Sequence, residues 1–173
     1  VFCTNKEGKL FRGGVWPGMT HFPDFLNPKA RRWFGNQYQF YTDRGIEGFW
    51  NDMNEPALFY TEYTKGPKKL GLVLDFIFPR LRKKAKERNL IRDYQSFFHH
   101  VDGKTYCHYD VHNIYGSNMI RATSEGLSQL LDPRYLIFGR SSYIGAGRYG
   151  GVWTGDNTSC WEHIMLNMRH VAS

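Results

Sequence analysis

Three short runs constrain the fold of this chain more than any other feature: IEGFW at 46–50, YLIFG at 135–139 and YGGVW at 149–153. Each is about strand length, apolar and rich in β-branched or aromatic residues. Such runs read as strands covered on both faces, the pattern of a parallel sheet under crossover helices. The segments around them supply the helices. At 27–45, Asn27 suits an N-cap, Pro28 the first helical position and Gly45 the C′ position. Trp33, Phe34, Gln37, Tyr38 and Tyr41 share one face there. A second helix is predicted over 113–131 from Ile114, Ile120, Leu127, Leu130 and Leu131, and Asp132-Pro133 ends it. A third follows Asp156, where Ser159 and Glu162 match a capping box and Trp161, Ile164, Met165 and Met168 recur at helical spacing.

The predicted order is helix, strand, irregular stretch, helix, strand, loop, strand, helix. Asp52, Arg140 and Asp156 each come just after a strand. The C-terminal strand ends carry the chemistry in a (β/α)₈ barrel and in a flat doubly wound sheet alike, so the pattern admits both. A closed barrel needs eight strands; three or four are visible, so the chain is expected to be part of one. The opening VFCTNKEGKL and the closing MRHVAS also suggest a piece of a longer protein. Residues 60–108, with Gly66-Pro67, a basic segment and the polar HHVDGKTYCHYD, read as a long insertion after the first strand.

The composition, 173 residues with 41% hydrophobic and 17% aromatic residues, fits one folded domain and excludes disorder. No apolar run approaches a membrane span, so no membrane association is expected. Cys3, Cys107 and Cys160 form no disulfide framework, which suggests reduced thiols and a cytoplasmic setting. The net charge of +7 invites a nucleic-acid reading, but its location opposes it. Residues 60–92 hold ten of the 23 Lys/Arg and three of the 16 Asp/Glu, leaving thirteen of each elsewhere. The excess belongs to one segment, read first as a solvated helix face and second as a surface for an acidic partner. No nucleic-acid partner is expected.

GAGRYG at 145–150 matches G-x-G-x-x-G, but its glycines lead into a strand rather than open a helix, so it does not signal nucleotide binding. Cys107, His108 and His112, with His99 and His100, match no zinc spacing and read as ordinary loop residues; no metal is expected. Asp52 and Asp156 taken singly would pass for turn residues. Together they are more informative, because each follows a strand that ends in tryptophan, Trp50 and Trp153. Aromatic walls beside carboxylates suit a sugar site, and glycoside hydrolysis needs two carboxyl groups with different roles. Arg140 could bind sugar hydroxyls and keep one carboxylate ionised.

WNDMNEP at 50–56 resembles the nucleophile signature of glycoside hydrolase family 31, the α-glucosidase and α-xylosidase family. GVWPGMTHFPDFLNPKARRWF at 14–34, HNIYGSNMIRATSEGL at 112–127 and GRSSYIGAGRYGGVWTGDNTSCWEH at 139–163 resemble the family's neighbouring segments, in the same order. The resemblance implies that residues 1–173 are a portion of a catalytic (β/α)₈ barrel. IEGFWND, YLIFGRS and YGGVWTGD would be its strands 4, 5 and 6, and 60–108 an insertion within it. It implies a retaining, exo-acting α-glucosidase working on terminal α-linked glucose of oligosaccharides, with an α-xylosidase or a non-catalytic carbohydrate-binding relative as alternatives. By position, Asp52 would be the nucleophile and Asp156 the acid/base. Arg140, Trp153, Met53, Trp16 and Phe59 would contact the sugar, with Trp50 framing the nucleophile and Glu55 supporting the strand-end loop by hydrogen bonding. No metal or organic cofactor is implied. The rest of the polypeptide would be needed to complete the barrel, so the 173 residues alone are expected to be inactive.

Overall fold

A computed structural model describes residues 1–62, 90–132 and 134–172, with side chains to Arg169. Most of the basic segment, and with it all but the last three residues of the expected helix face over 79–92, lies outside the described residues.

The first elements are a short hairpin, β1 (Gly13–Val15) and β2 (Gly18–Thr20), then helices α1 (Pro28–Asn36) and α2 (Gln39–Thr42). Strand β3 (Gly48–Asn51) and the two-residue β4 (Tyr60–Thr61) follow. A second hairpin, β5 (Phe98–Val101) and β6 (Lys104–Cys107), leads directly into the long helix α3 (His108–Leu130). Strand β7 (Leu136–Gly139), a 3₁₀ turn at Ala146–Arg148, strand β8 (Gly151–Val152) and helix α4 (Trp161–Ala172) complete the order.

The three runs that opened the sequence reading form one parallel sheet in the order β3-β7-β8. The last run is a strand over only two of its five predicted residues. Register matters most here. Asn51 pairs with Gly139, and Gly139 with Val152, so Asp52, Arg140 and Trp153 leave the three strands side by side.

Helix α3 packs on this sheet, and α1 packs on α3, the two helices crossing at two glycines. A Cβ on Gly35 would stand 2.8 Å from the Gly126 Cα, closer than any real contact. Tyr38, Ile120, Leu127 and Ile137 form the core between helices and sheet.

Four local expectations are corrected. The 27–45 helix begins as expected, with the Asn27 side chain accepting from the Lys29 amide, but breaks after Asn36. There Gln37 and Tyr38 donate to Phe34 and Gly35, i→i+3 bonds that tighten the turn and aim Tyr38 inward. The buried face is therefore Ala30, Arg31, Gly35 and Tyr38, while Trp33 and Tyr41 are exposed. The second helix starts at His108, five residues before the predicted 113, because Cys107 ends β6 and caps it directly. The last helix starts at Trp161, one residue late for Ser159 to be its N-cap. Finally, Cys107 ends a strand, His108 and His112 lie on α3, and His99 and His100 lie on β5; none is a loop residue.

The described ends of the 60–108 stretch are woven into the fold. Strand β4 pairs with β1, and Phe97 stacks on Phe11 with ring centroids 4.3 Å apart. Cys3, Phe11, Phe22, Leu58 and Phe97 form a second core beneath the first hairpin.

Candidate active site

The side chains expected to act lie at the C-terminal end of the β3-β7-β8 sheet, gathered around Arg140. Its Nε and Nη2 donate to the two oxygens of Glu55 at 2.7 and 3.0 Å, a bidentate pair. Its Nη1 stands 3.4 Å from an Asp52 oxygen and 3.4 Å from an Asp156 oxygen. The hydrogen bonds that Arg140 donates to Glu55, opposed by partial burial and reinforced by the charges of Glu55, Asp52 and Asp156, raise the Arg140 pKa above its ordinary value. One guanidinium thus balances three carboxylates. Asp156 is the most open of these groups, with 92% of its side chain exposed; Arg140 is the least, at 20%.

Local backbone geometry sets each group. Asp52 Oδ1 accepts from the Met53 amide at 2.7 Å, and Met53 has φ +55°, a left-handed conformation that turns the chain sharply away from β3. Gly155 has φ +86°, and a side chain there would press on the Arg140 Cδ at 3.2 Å. That glycine lets the 154–157 turn close over the arginine stem and hold Asp156 beside its head. The Trp153 amide continues the β8 ladder by donating to Gly139.

The expected aromatic residues form two pairs. Trp50 and Trp153 meet at 5.3 Å between ring centroids, reaching from β3 and from the end of β8 across the intervening β7. Trp16 stacks on Phe59 at 6.3 Å at the tip of the first hairpin, with Trp16 80% exposed. No direct contact joins the second pair to the carboxylates among the described residues.

Two residues missed in the sequence reading hold the site together. Asn54, almost fully buried, accepts from the Ser141 amide at 2.7 Å and donates to the carbonyls of Ser141 and Gly116. It ties the Asp52 loop to the residue after Arg140 and to α3. Gly116 must be glycine for this: a Cβ would stand 2.6 Å from the Ser141 oxygen. Asn51 donates to the Tyr38 hydroxyl and accepts from Thr123, both at 2.9 Å, a closed buried network at the base of Asp52. The repeated asparagines of NDMNE were the available signal, since a buried carboxamide can pin two strands at once.

The whole chain, residues 1–173, matches the family model described as the TIM-barrel domain of glycosyl hydrolases family 31. It is 39% identical over 168 residues to alpha-glucosidase 2 of Bacillus thermoamyloliquefaciens, covering 96% of this chain and 18% of that protein. Among solved structures, a family 31 alpha-glucosidase from Bacteroides thetaiotaomicron superposes with a TM-score of 0.59 at 32% identity, over 95% of this chain and 21% of that one. A glucosidase II alpha subunit superposes with a TM-score of 0.64 at 28% identity, over 94% and 15%. The chain thus spans about a fifth of the length of the relatives it matches. A parallel sheet with carboxylates at its C-terminal edge, matched end to end by the family's barrel model, places this chain in glycoside hydrolase family 31, as part of its (β/α)₈ barrel domain.

Proposed function

We propose that these residues form the central part of an α-glucosidase site that works by a retaining mechanism on terminal α-linked glucose of oligosaccharides. In this reading β3, β7 and β8 are barrel strands 4, 5 and 6, and residues 60–108 are an insertion between the first of them and its helix. The observation that carries the reading is that Asp52 and Asp156 share one Arg140 nitrogen, each at 3.4 Å. Their nearest oxygens are therefore no farther apart than twice that distance. This limit spans the roughly 5–5.5 Å separation of retaining enzymes and only the lowest edge of the roughly 6.5–9.5 Å of inverting ones.

Asp52, held against the Met53 amide, attacks the anomeric carbon as Asp156 gives its proton to the leaving oxygen. A covalent glycosyl–Asp52 ester forms. Asp156, now a carboxylate, takes a proton from water, which displaces the sugar and restores both groups. The open setting of Asp156 suits a group that must meet leaving group and water in turn, while Asp52 sits deeper against the arginine. Arg140 places its positive charge 3.4 Å from Asp52. The Trp50–Trp153 pair offers an apolar wall to the sugar face. Glu55 holds the arginine and takes no proton.

The test is covalent labelling of the full-length protein by a mechanism-based glucoside inhibitor, with turnover measured on maltose, isomaltose and an α-xyloside. Labelling at Asp52, lost in Asp52→Asn together with turnover, is expected. Labelling at another carboxylate, or undiminished turnover in the variant, refutes the assignment. The substrate panel separates an α-glucosidase from an α-xylosidase.

A further inference from the structure

Behind the site runs a buried file of titratable groups that the proposed chemistry does not use. Asp24 Oδ1 lies 2.7 Å from His99 Nδ1. His99 Nε2 lies 3.0 Å from His108 Nδ1, and His108 Nε2 lies 3.0 Å from His112 Nδ1. Asp24, His99 and His108 are at most 2% exposed. The second Asp24 oxygen accepts from the His100 amide at 2.7 Å.

The file starts beneath the first hairpin and ends at the site. His112 lies one helical turn before Gly116, whose carbonyl accepts from Asn54, so its side chain faces the 52–55 loop. His112 stacks on Tyr94 at 4.2 Å, and both rings feel the charge of Glu55. His112 thus meets His108 and Tyr94 directly and lies within reach of the Glu55 charge.

The donor atoms of Cys3, Asp24 and His99 lie within 4.8 Å of one another. The geometry is nevertheless that of hydrogen bonds. Two nitrogen or oxygen ligands of one tetrahedral ion, bound at about 2.0–2.1 Å, stand about 3.3 Å apart. The 2.7 Å between Asp24 and His99 is a hydrogen-bond distance, and both His99 nitrogens are already engaged.

Hydrogen-bond chemistry orders the file. A carboxylate only accepts, so Asp24 requires the His99 proton on Nδ1. With one proton on each ring, His99 Nε2 then accepts, which places the His108 proton on Nδ1, and the same step places the His112 proton on Nδ1. We propose that Asp24, His99, His108 and His112 are a positioning relay that fixes His112 as a neutral Nδ1–H imidazole beside Glu55, leaving the Glu55 carboxylate to Arg140 alone. Neutrality has support in the surroundings: burial, with His99 and His112 alongside, pushes His108 down to about 2. Burial also lowers His112, against the opposing pull of Glu55. The proposal rests on reading Glu55–Arg140 as the frame of a glycosidase site.

The experiment is ¹⁵N-histidine NMR of the full-length protein, with kcat/KM measured in parallel on an aryl α-glucoside, for wild type and Asp24→Asn. In wild type, His99, His108 and His112 should all be protonated on Nδ1 and not on Nε2. In the variant, the carboxamide oxygen keeps the His100 amide and its nitrogen donates to His99 Nδ1. All three tautomers then reverse, and His112 presents an Nε2–H that competes with Arg140 for Glu55. A fall in kcat/KM of about tenfold, the loss of roughly one charge-assisted hydrogen bond, should accompany the reversal. An Nε2–H on any of the three in wild type overturns the relay, and that spectrum decides even if the variant does not fold. Reversed tautomers with kcat/KM unchanged overturn its link to the site. A wild-type protein that hydrolyses no α-glycoside refutes the functional reading instead, and leaves the tautomer order to be judged alone.

Discussion

Glu55→Gln separates a supporting carboxylate from a reacting one. The substitution preserves shape and removes one acceptor. Today Glu55 receives two N–H groups from Arg140, at 2.7 and 3.0 Å. A glutamine oxygen can keep one of them, but its amide nitrogen would face the other as donor against donor. A hydrogen bond to a charged group contributes about 1.5–3 kcal/mol in a sheltered setting. Arg140 is 20% and Glu55 30% exposed, so the lower part of that range applies, about 1.5–2 kcal/mol. At about 1.4 kcal/mol per factor of ten, kcat/KM should fall roughly 10- to 30-fold. Asp52→Asn removes the proposed attacking group and should cost about 10⁴-fold or more, the scale seen when a catalytic residue is deleted. Both variants would be assayed as full-length protein on an aryl α-glucoside, with a thermal melt to confirm folding. If Glu55→Gln proves as inactive as Asp52→Asn, Glu55 takes part in the chemistry and the assignment is wrong. If it matches wild type, the bidentate pair does not hold the arginine.

Asn54→Ala should lower stability by about 3 kcal/mol, since three hydrogen bonds of a buried carboxamide are lost; a denaturant midpoint shift at unchanged slope would measure it. Gly126→Ala should destabilise by roughly 1–3 kcal/mol, because the new methyl meets the Gly35 backbone rather than a movable side chain; the melting temperature reports it, and an unchanged value would mean α1 and α3 can separate freely. Burial raises the Glu125 pKa, but hydrogen bonds from Arg121 and Arg31 outweigh it and leave the group below its ordinary value. Its contribution to stability is therefore complete above the unfolded carboxylate value near 4.3 and fades as pH falls through the lower folded value. Wild type should exceed Glu125→Gln in stability at pH 7, and the gap should close on acidification; a gap that widens would refute the pairing.

The site's principal side chains were legible because each carries its signal locally. Asp52, Arg140 and Asp156 follow apolar runs, and strands in parallel register turn that sequence position into spatial proximity. Register alone does not divide roles between two aspartates; the proposed division rests on the resemblance of a long motif. Glu55 was legible only in part. Its supporting place could be expected, but its partner Arg140 lies 85 residues away and depends on how β3 and β7 align. The histidine file was illegible for a more basic reason. His99 and His108 sit in a polar stretch, HHVDGKTYCHYD, that looks solvated by composition. What buries them is Phe97, stacked on His108 at 4.1 Å, and the Asp24 carboxylate, which comes from the far end of the chain. A polar residue pairs into a core only when a distant partner meets its hydrogen-bonding needs, and no local period or propensity encodes that meeting. The same holds for the break after Asn36: a continuous helical pattern does not reveal that Gly35 will press against Gly126, or that the next turn must tighten to bring Tyr38 onto Asn51. Sequence patterns thus report which residues face a layer, while the pairings that lock an active site in place depend on contacts between segments far apart in the chain.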